Sequence, residues 1–340
     1  MKRTDAIVIV GRRVFVVIII LIVLLISKRI TADYQLKERD LEFDYNVLIE
    51  NIPAGSSILK VWIPIIQDTG HQIVKDFHVE PNKSASVSFD KKFGNKILNY
   101  SVEALQDSHL MINVHYIVKR FEFINKNWET ADRKYADKNN LDDVLDHYLQ
   151  PSRYVTLSSN IRSLAAEITK GKRTVVEKAQ AIYTYVFQTV AYDKIVPGWG
   201  SGDTERVCLL KVGNCTDFHS LFISLSRASG IPAKFVMGFP VSLGPEGEIP
   251  GYHCWAEFYD DHLGWIPVDI SEAWKHKDKA DYYFGAIDEN RIELSVGRDI
   301  ILEPAHNGEP LNYFLYPYVE VDGKKFNEIS TTFKYKNSRL

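Results

Sequence analysis

The sequence predicts an α+β protein: a hydrophobic helix, then an antiparallel β-sandwich, then helices followed by antiparallel strands. Three observations carry this. Apolar residues alternate from Leu41 to about Phe123. They recur at helical spacing between residues 158 and 230. After Gly230 the alternation returns.

Taken in order, the N-terminus comes first. Lys2, Arg3, Arg12 and Arg13 precede the uncharged run VFVVIIILIVLLIS at 14–27, and Lys28-Arg29 follow. The run is short for a spanning helix, which wants ~20 apolar residues. It lacks a small-x-small cleavage site, so an uncleaved signal anchor over 1–30 is the first expectation and a cleaved signal peptide the second. The basic flank favours a cytoplasmic N-terminus, leaving the rest membrane-anchored and extracytoplasmic, periplasmic or at the cell surface, or secreted if the signal is removed.

Segments LEFDYNVLIENI, SILKVWIPI, ASVSFD, KILNYSVEAL and HLMINVHYIVKRFEF give a sandwich over 34–125, with turns at Pro53-Ala54-Gly55 and Gly94-Asn95. His71, His78, His109 and His115 are too scattered there for a metal site. Residues 126–151 turn polar and acidic and end at Pro151, as a partly helical linker. The remaining stretch, 152–340, starts with two helices. Ile161, Leu164, Ala165 and Ile168 make one stripe, and Val176, Ala179, Ile182, Tyr183 and Val186 the next. A Gly-rich loop, a third helix and the strands AKFVMGFPV, YHCWAEFYD and GWIPVDI follow, then C-terminal strands with a hairpin turn at Asp322-Gly323.

Composition narrows the function. Hydrophobic residues make up 45% and charged residues 25%, as in ordinary globular proteins. A net charge of -3 without a long basic run disfavours a nucleic-acid partner. Three cysteines, Cys208, Cys215 and Cys254, leave at least one thiol unpaired, and a Cys208–Cys254 disulfide remains open.

The chemistry concentrates in GNCTDFHSLFISLSRASG at 213–230. Asn214 is a good N-cap, Asp217 suits the first turn, and Gly230 with Pro232 ends the helix. Cys215 then opens a helix, where free N–H groups and the dipole favour a thiolate and an oxyanion. In GYHCWAEFYDDHLGWIPVDIS, alternation sends His253, Trp255 and Glu257 to one face and Cys254 to the other. A hairpin at Gly264 can set Asp269 beside His253, to fix the imidazole while its other nitrogen faces the thiol.

These residues resemble a known family. GNCTDFHSLFISLSRASGIPAKFVMGF, YHCWAEFY and GWIPVDIS are similar, in order, to the three core motifs of the transglutaminase-like superfamily. The resemblance covers about residues 155–290 and implies a papain-like core in a membrane-anchored member of bacterial type. It implies Cys215 as nucleophile, His253 as base and then acid, and Asp269 as the residue that orients it. It also implies an aromatic oxyanion donor upstream, for which Tyr192 is the first candidate and Trp199 the second. No EF-hand-like loop appears, so neither calcium nor another cofactor is expected.

The expected function is a thiol acyl-transfer enzyme, a cysteine peptidase or amidase acting on protein or peptide substrates. A protein-glutamine transamidase and an inactive binding scaffold on the same core are the alternatives. Zinc at Cys215, His219, His253 and Cys254 is disfavoured, because no C-x-x-C or H-x-x-x-H pattern exists. Trp255, Trp265 and Trp274 read first as packing. The run KHKDKAD at 275–281 reads as a solvated face, and GRDI at 297–300 has no evident chemical role.

Overall fold

A computed structural model describes residues 36–103, 107–126, 128 and 145–338. The apolar run at 14–27, and with it the expected hydrophobic helix, lies outside the described residues, as does most of the expected linker. Among the described residues no helix is long and apolar enough to cross a membrane. Glu38–Leu340 forms one compact unit of mixed helices and antiparallel sheets.

The first part is all strand: β1 (Glu38–Ile49), β2 (Ile58–Pro64), β3 (Gln72–Glu80), β4 (Ala85–Phe89), β5 (Lys96–Glu103), β6 (Leu110–Phe121) and β7 (Phe123–Ile124). In β1, Leu41, Phe43, Tyr45, Val47 and Ile49 are fully buried while their neighbours are half-buried, the period-two signature of a sheet with one core face. Strand β3 escapes the sequence reading. It is an edge strand with a bulge between Val74 and Asp76, and its mostly exposed residues do not alternate.

The second part begins with α1 (Ser159–Ile168) and α2 (Val175–Thr189), then β8 (Ala191–Tyr192), α3 (Thr204–Leu210), β9 (Val212–Gly213) and α4 (Cys215–Ala228). Ser158 caps α1, and Thr174 with Glu177 forms a capping box on α2. Next come β10 (Ala233–Pro240), β11 (Glu246–Glu248), β12 (His253–Asp260), β13 (Gly264–Val268), α5 (Ile270–Lys275), β14 (Ala286–Ile287) and β15 (Arg291–Val296). The chain closes with β16 (Tyr318–Val321), β17 (Lys324–Lys325) and β18 (Ile329–Asn337).

Strands β13-β12-β10-β15 make a four-stranded antiparallel sheet against which α4 packs. The C-terminal strands pair elsewhere. β18 runs beside β1 from Leu41↔Asn337 to Ile49↔Ile329, giving the sheet β11-β18-β1-β6-β3. β16 pairs with β2, giving β17-β16-β2-β5-β4. Asp322 and Gly323 both have positive φ, as a type I′ hairpin turn requires.

Buried polar ties join these sheets to the four-stranded sheet. The Gln72 amide donates to the Glu293 carbonyl and accepts from the Glu293 N–H, at 3.0 and 2.9 Å. Asn95 bonds Val296 in the same two-way manner, at 2.8 and 2.6 Å. Phe239 of β10 packs on Phe43 and Phe333 at 5.2 and 4.4 Å between centroids.

Phe333→Ala should therefore lower the unfolding free energy by about 3–5 kcal/mol. Urea unfolding checks this against Lys336→Ala on the exposed face of the same strand, expected within about 0.5 kcal/mol of wild type. Equal losses for the two would contradict the packing.

Candidate active site

Helix α4 is buried from Cys215 to Arg227, so its first residue is fixed by the core rather than by a loop. The Asn214 side chain accepts from the Thr216 N–H at 2.9 Å, and Asp217 Oδ2 accepts from the Asn214 N–H at 2.9 Å. Asp217 also accepts from Gly200 N–H at 2.7 Å and Gly202 N–H at 3.1 Å, pinning the Gly-rich loop to the helix start. Burial pushes this carboxyl above its ordinary range, against the pull of those N–H groups.

Arg298, in the GRDI segment, clamps the same loop from the other side. It donates to Ser220 Oγ at 2.8 Å, the Ser201 carbonyl at 2.7 Å and Asn312 Oδ1 at 2.8 Å. Its guanidinium sits 4.9 Å from the Phe235 ring centre.

The structure brings Cys215, His253 and Asp269 together. His253 opens β12, and its Nε2 lies 2.5 Å from Asp269 Oδ2. Its side chain also hydrogen-bonds the Cys215 thiol, which leaves Nδ1 for the sulfur. Cys215 is 3% exposed, His253 4% and Asp269 0%.

Asp269 reaches His253 from the end of the hairpin, as the sequence predicts. It lies one residue past β13, where it also caps α5. Its Oδ1 accepts from Glu272 N–H at 3.0 Å and Ser271 Oγ at 3.1 Å, while Oδ2 faces the imidazole.

The charges follow. Burial alone would raise the Asp269 carboxyl, but His253, then His219 and Arg291, hold it well below the usual carboxylate range. Burial pulls the His253 imidazole down, yet Asp269 and Cys215 outweigh it and raise its pKa to about 9. The hydrogen bond with the Cys254 thiol, against burial and with help from His253, takes Cys215 well below the ordinary thiol range. Both shifts point the same way, favouring negative charge on the sulfur and positive charge on the imidazole beside the Asp269 carboxylate.

Three further groups adjoin the site, and of these only Tyr252 goes unread in the sequence. Cys254 was expected to face away from His253, and deeper in the strand alternation holds. At the strand's first two residues both side chains reach the Cys215 thiol. His219, one turn along α4, accepts from the Ile270 N–H at Nε2 (3.0 Å), with Asp269 Oδ1 at 3.6 Å. Burial lowers its pKa, against the opposing pull of Asp269 and Cys215. The Tyr252 hydroxyl accepts from Asn214 Nδ2 at 2.9 Å and lies 3.2 Å from Thr216 Oγ1. Its only sequence signal is an aromatic directly before His253.

Of the two oxyanion candidates, Tyr192 pairs in parallel with Gly213, two residues before the cysteine. Burial, and then the charge on Cys215, raise its phenol well above the ordinary range, so it stays a donor. Trp199 is 39% exposed on the Gly-rich loop, 5.7 Å from the Lys194 ammonium. All three cysteines are free, which removes the Cys208–Cys254 disulfide. Among the described residues no cluster of His, Cys, Asp and Glu is arranged to hold a metal ion.

Comparison with known proteins agrees with this geometry. Residues 162–270, the segment that carries the cysteine, the histidine and the aspartate, match the family model described as the Transglutaminase-like superfamily. An uncharacterized protein of Haemophilus influenzae is 29% identical over 324 residues, covering 84% of this chain and 87% of that one. The uncharacterized protein YebA of Bacillus subtilis is 24% identical over 148 residues, 38% of this chain and 20% of YebA. A Cytophaga hutchinsonii crystal structure, assigned provisionally to the cysteine proteases, shares the fold. It superposes with a TM-score of 0.60 at 16% identity, covering 89% of this chain and 93% of that one.

Asp269→Asn keeps an oxygen for the α5 cap but removes the charge opposite His253. The His253 pKa should fall from about 9. The pH profile of Cys215 alkylation by iodoacetamide should then move to the alkaline side by about one unit or more. An unchanged profile would show that the carboxylate does not set the charge of the pair.

Proposed function

We propose that the protein is a thiol acyl-transfer enzyme, a cysteine peptidase or amidase that cleaves amide bonds of proteins or peptides. The observation that carries this reading is the single line from Cys215 at a helix start, through His253, to the Asp269 carboxylate.

The Cys215 thiolate attacks the amide carbonyl carbon, and the developing oxyanion is met by helix-start N–H groups and the Tyr192 hydroxyl. The C–N bond breaks as the His253 imidazolium gives its proton to the leaving amine. His253, now neutral, takes a proton from water as the water attacks the thioester, and the acid product leaves with Cys215 restored as thiolate. A primary amine in place of water would give transamidation from the same acyl-enzyme. The apolar run at 14–27 supports an anchored, extracytoplasmic enzyme working on substrates outside the cytoplasmic membrane.

Cys215→Ala should lower amide cleavage by on the order of 10³-fold or more and leave thermal unfolding near wild type. A peptide panel read by mass spectrometry, with a labelled primary amine present, measures this. New chain ends mark hydrolysis and incorporated label marks transfer. Cleavage that survives Cys215→Ala would defeat the proposal.

A further inference from the structure

Tyr252, directly before His253, lies outside the triad and yet reaches the head of α4. Its hydroxyl accepts from Asn214 Nδ2 at 2.9 Å and lies 3.2 Å from Thr216 Oγ1, so it meets both residues that flank Cys215. The Gly-rich loop covers this contact. Gly200, at φ +80°, packs so near that a Cβ there would stand 3.3 Å from Asn214 Nδ2 and 3.4 Å from the Tyr252 hydroxyl. Away from the loop the Tyr252 ring packs on Tyr313, 5.8 Å between centroids.

We propose that Tyr252 is a positioning residue for the acylation step: through the Asn214 side chain it fixes the peptide unit at the head of α4 whose N–H meets the developing oxyanion.

The inference rests on the reading of Cys215 as nucleophile, with helix-start N–H groups as oxyanion donors. An asparagine amide has an acceptor end and a donor end. At Asn214 the acceptor end takes the Thr216 N–H at 2.9 Å. The donor end needs an oxygen, and the Tyr252 hydroxyl supplies it. With both ends engaged, the amide is held against the turn that would set its NH2 group against the Thr216 N–H.

The backbone around it is held in the same way. Asp217 Oδ2 takes the Asn214 N–H at 2.9 Å, and the Asn214 carbonyl takes those of Asp217 and Phe218 at 3.0 and 3.1 Å. This network uses the N–H groups on either side of Cys215 and leaves out that of Cys215 itself. The Cys215 N–H belongs to the peptide unit that Asn214 begins, so its direction follows from how Asn214 is anchored. A donor aimed in advance at the oxyanion is what stabilises the transition state.

Tyr252→Phe removes the hydroxyl alone, and two reactions of Cys215 read its effect. Acylation by p-nitrophenyl acetate passes through a tetrahedral oxyanion. The thiolate attacks the ester carbon, S–C forms, C–O breaks and p-nitrophenolate leaves. Alkylation by iodoacetamide displaces iodide at carbon and forms no oxyanion. Both are measured on the full chain at one pH, acylation by p-nitrophenolate release and alkylation by the mass of tryptic peptide 212–227, with Cys215→Ala as the blank.

Losing one hydrogen bond should slow acylation about three- to ten-fold while alkylation stays within about two-fold of wild type. Asn214→Ser keeps a capping oxygen but has no amide to donate. The double variant should be no slower than the slower single, because both break one hydrogen bond. Equal slowing of the two reactions by Tyr252→Phe would mark a merely structural role and overturn the inference. So would unchanged acylation, losses that multiply in the double variant, or a wild type whose Cys215 is never acylated. Should Tyr252→Phe fail to fold, Asn214→Ser breaks the same bond from the other side and is read by the same ratio. Amide cleavage is measured separately, so a wild type that cleaves no amide rejects the peptidase reading while the ratio still decides the role of Tyr252.

Discussion

One buried carboxylate organises the site. Asp269 uses Oδ1 to cap α5 and Oδ2 to hold the His253 imidazole, and it is wholly removed from water. An unpaired carboxylate there would be costly by several kcal/mol. Cations and N–H groups from separate parts of the chain offset that cost, with His253 on β12, the α5 cap and Arg291 of β15, whose Nη2 is 3.9 Å away. The positive charge favoured on the imidazole follows from it, because His253 is raised only while its neighbour stays ionised.

The rest of the fold keeps that arrangement still. α4 is buried along nearly its whole length, and two ionisable residues outside the triad, Asp217 and Arg298, tie the Gly-rich loop to it. His219 joins the cysteine helix to the start of α5 through the Ile270 N–H. The flanking sheets contribute through Gln72 and Asn95, which fasten them to β15. Since β18 and β16 complete those sheets, both ends of the described chain brace the four-stranded sheet that presents His253.

The signals in the sequence were strongest where a pattern is local. Capping residues and a 3.6-residue stripe marked α1, α2 and α4, and alternation marked β1, β2, β5 and β6. The three site residues were legible because each sits at an element boundary with its own punctuation: Asn214 before the cysteine, an aromatic pair around the histidine, a strand end at the aspartate. What was not legible depends on distant partners. The C-terminal strands gave no hint that they would pair with β1 and β2. Arg298 finds its partners at Ser220 and Ser201, far back along the chain. Cys254 likewise finds its partners, Thr216 and His219, far back along the chain.

Nucleophilic chemistry at this site depends on the charge of the Cys215 sulfur. Thiolate absorbance near 240 nm, measured between pH 4 and 10 as the difference between wild type and Cys215→Ala, reads that charge in the resting protein. A thiolate already formed at neutral pH, well below the ordinary thiol value of about 8.5, is the predicted result. A Cys215 absorbance that appears only above that value would contradict it, since no neighbouring imidazolium would then be stabilising the anion.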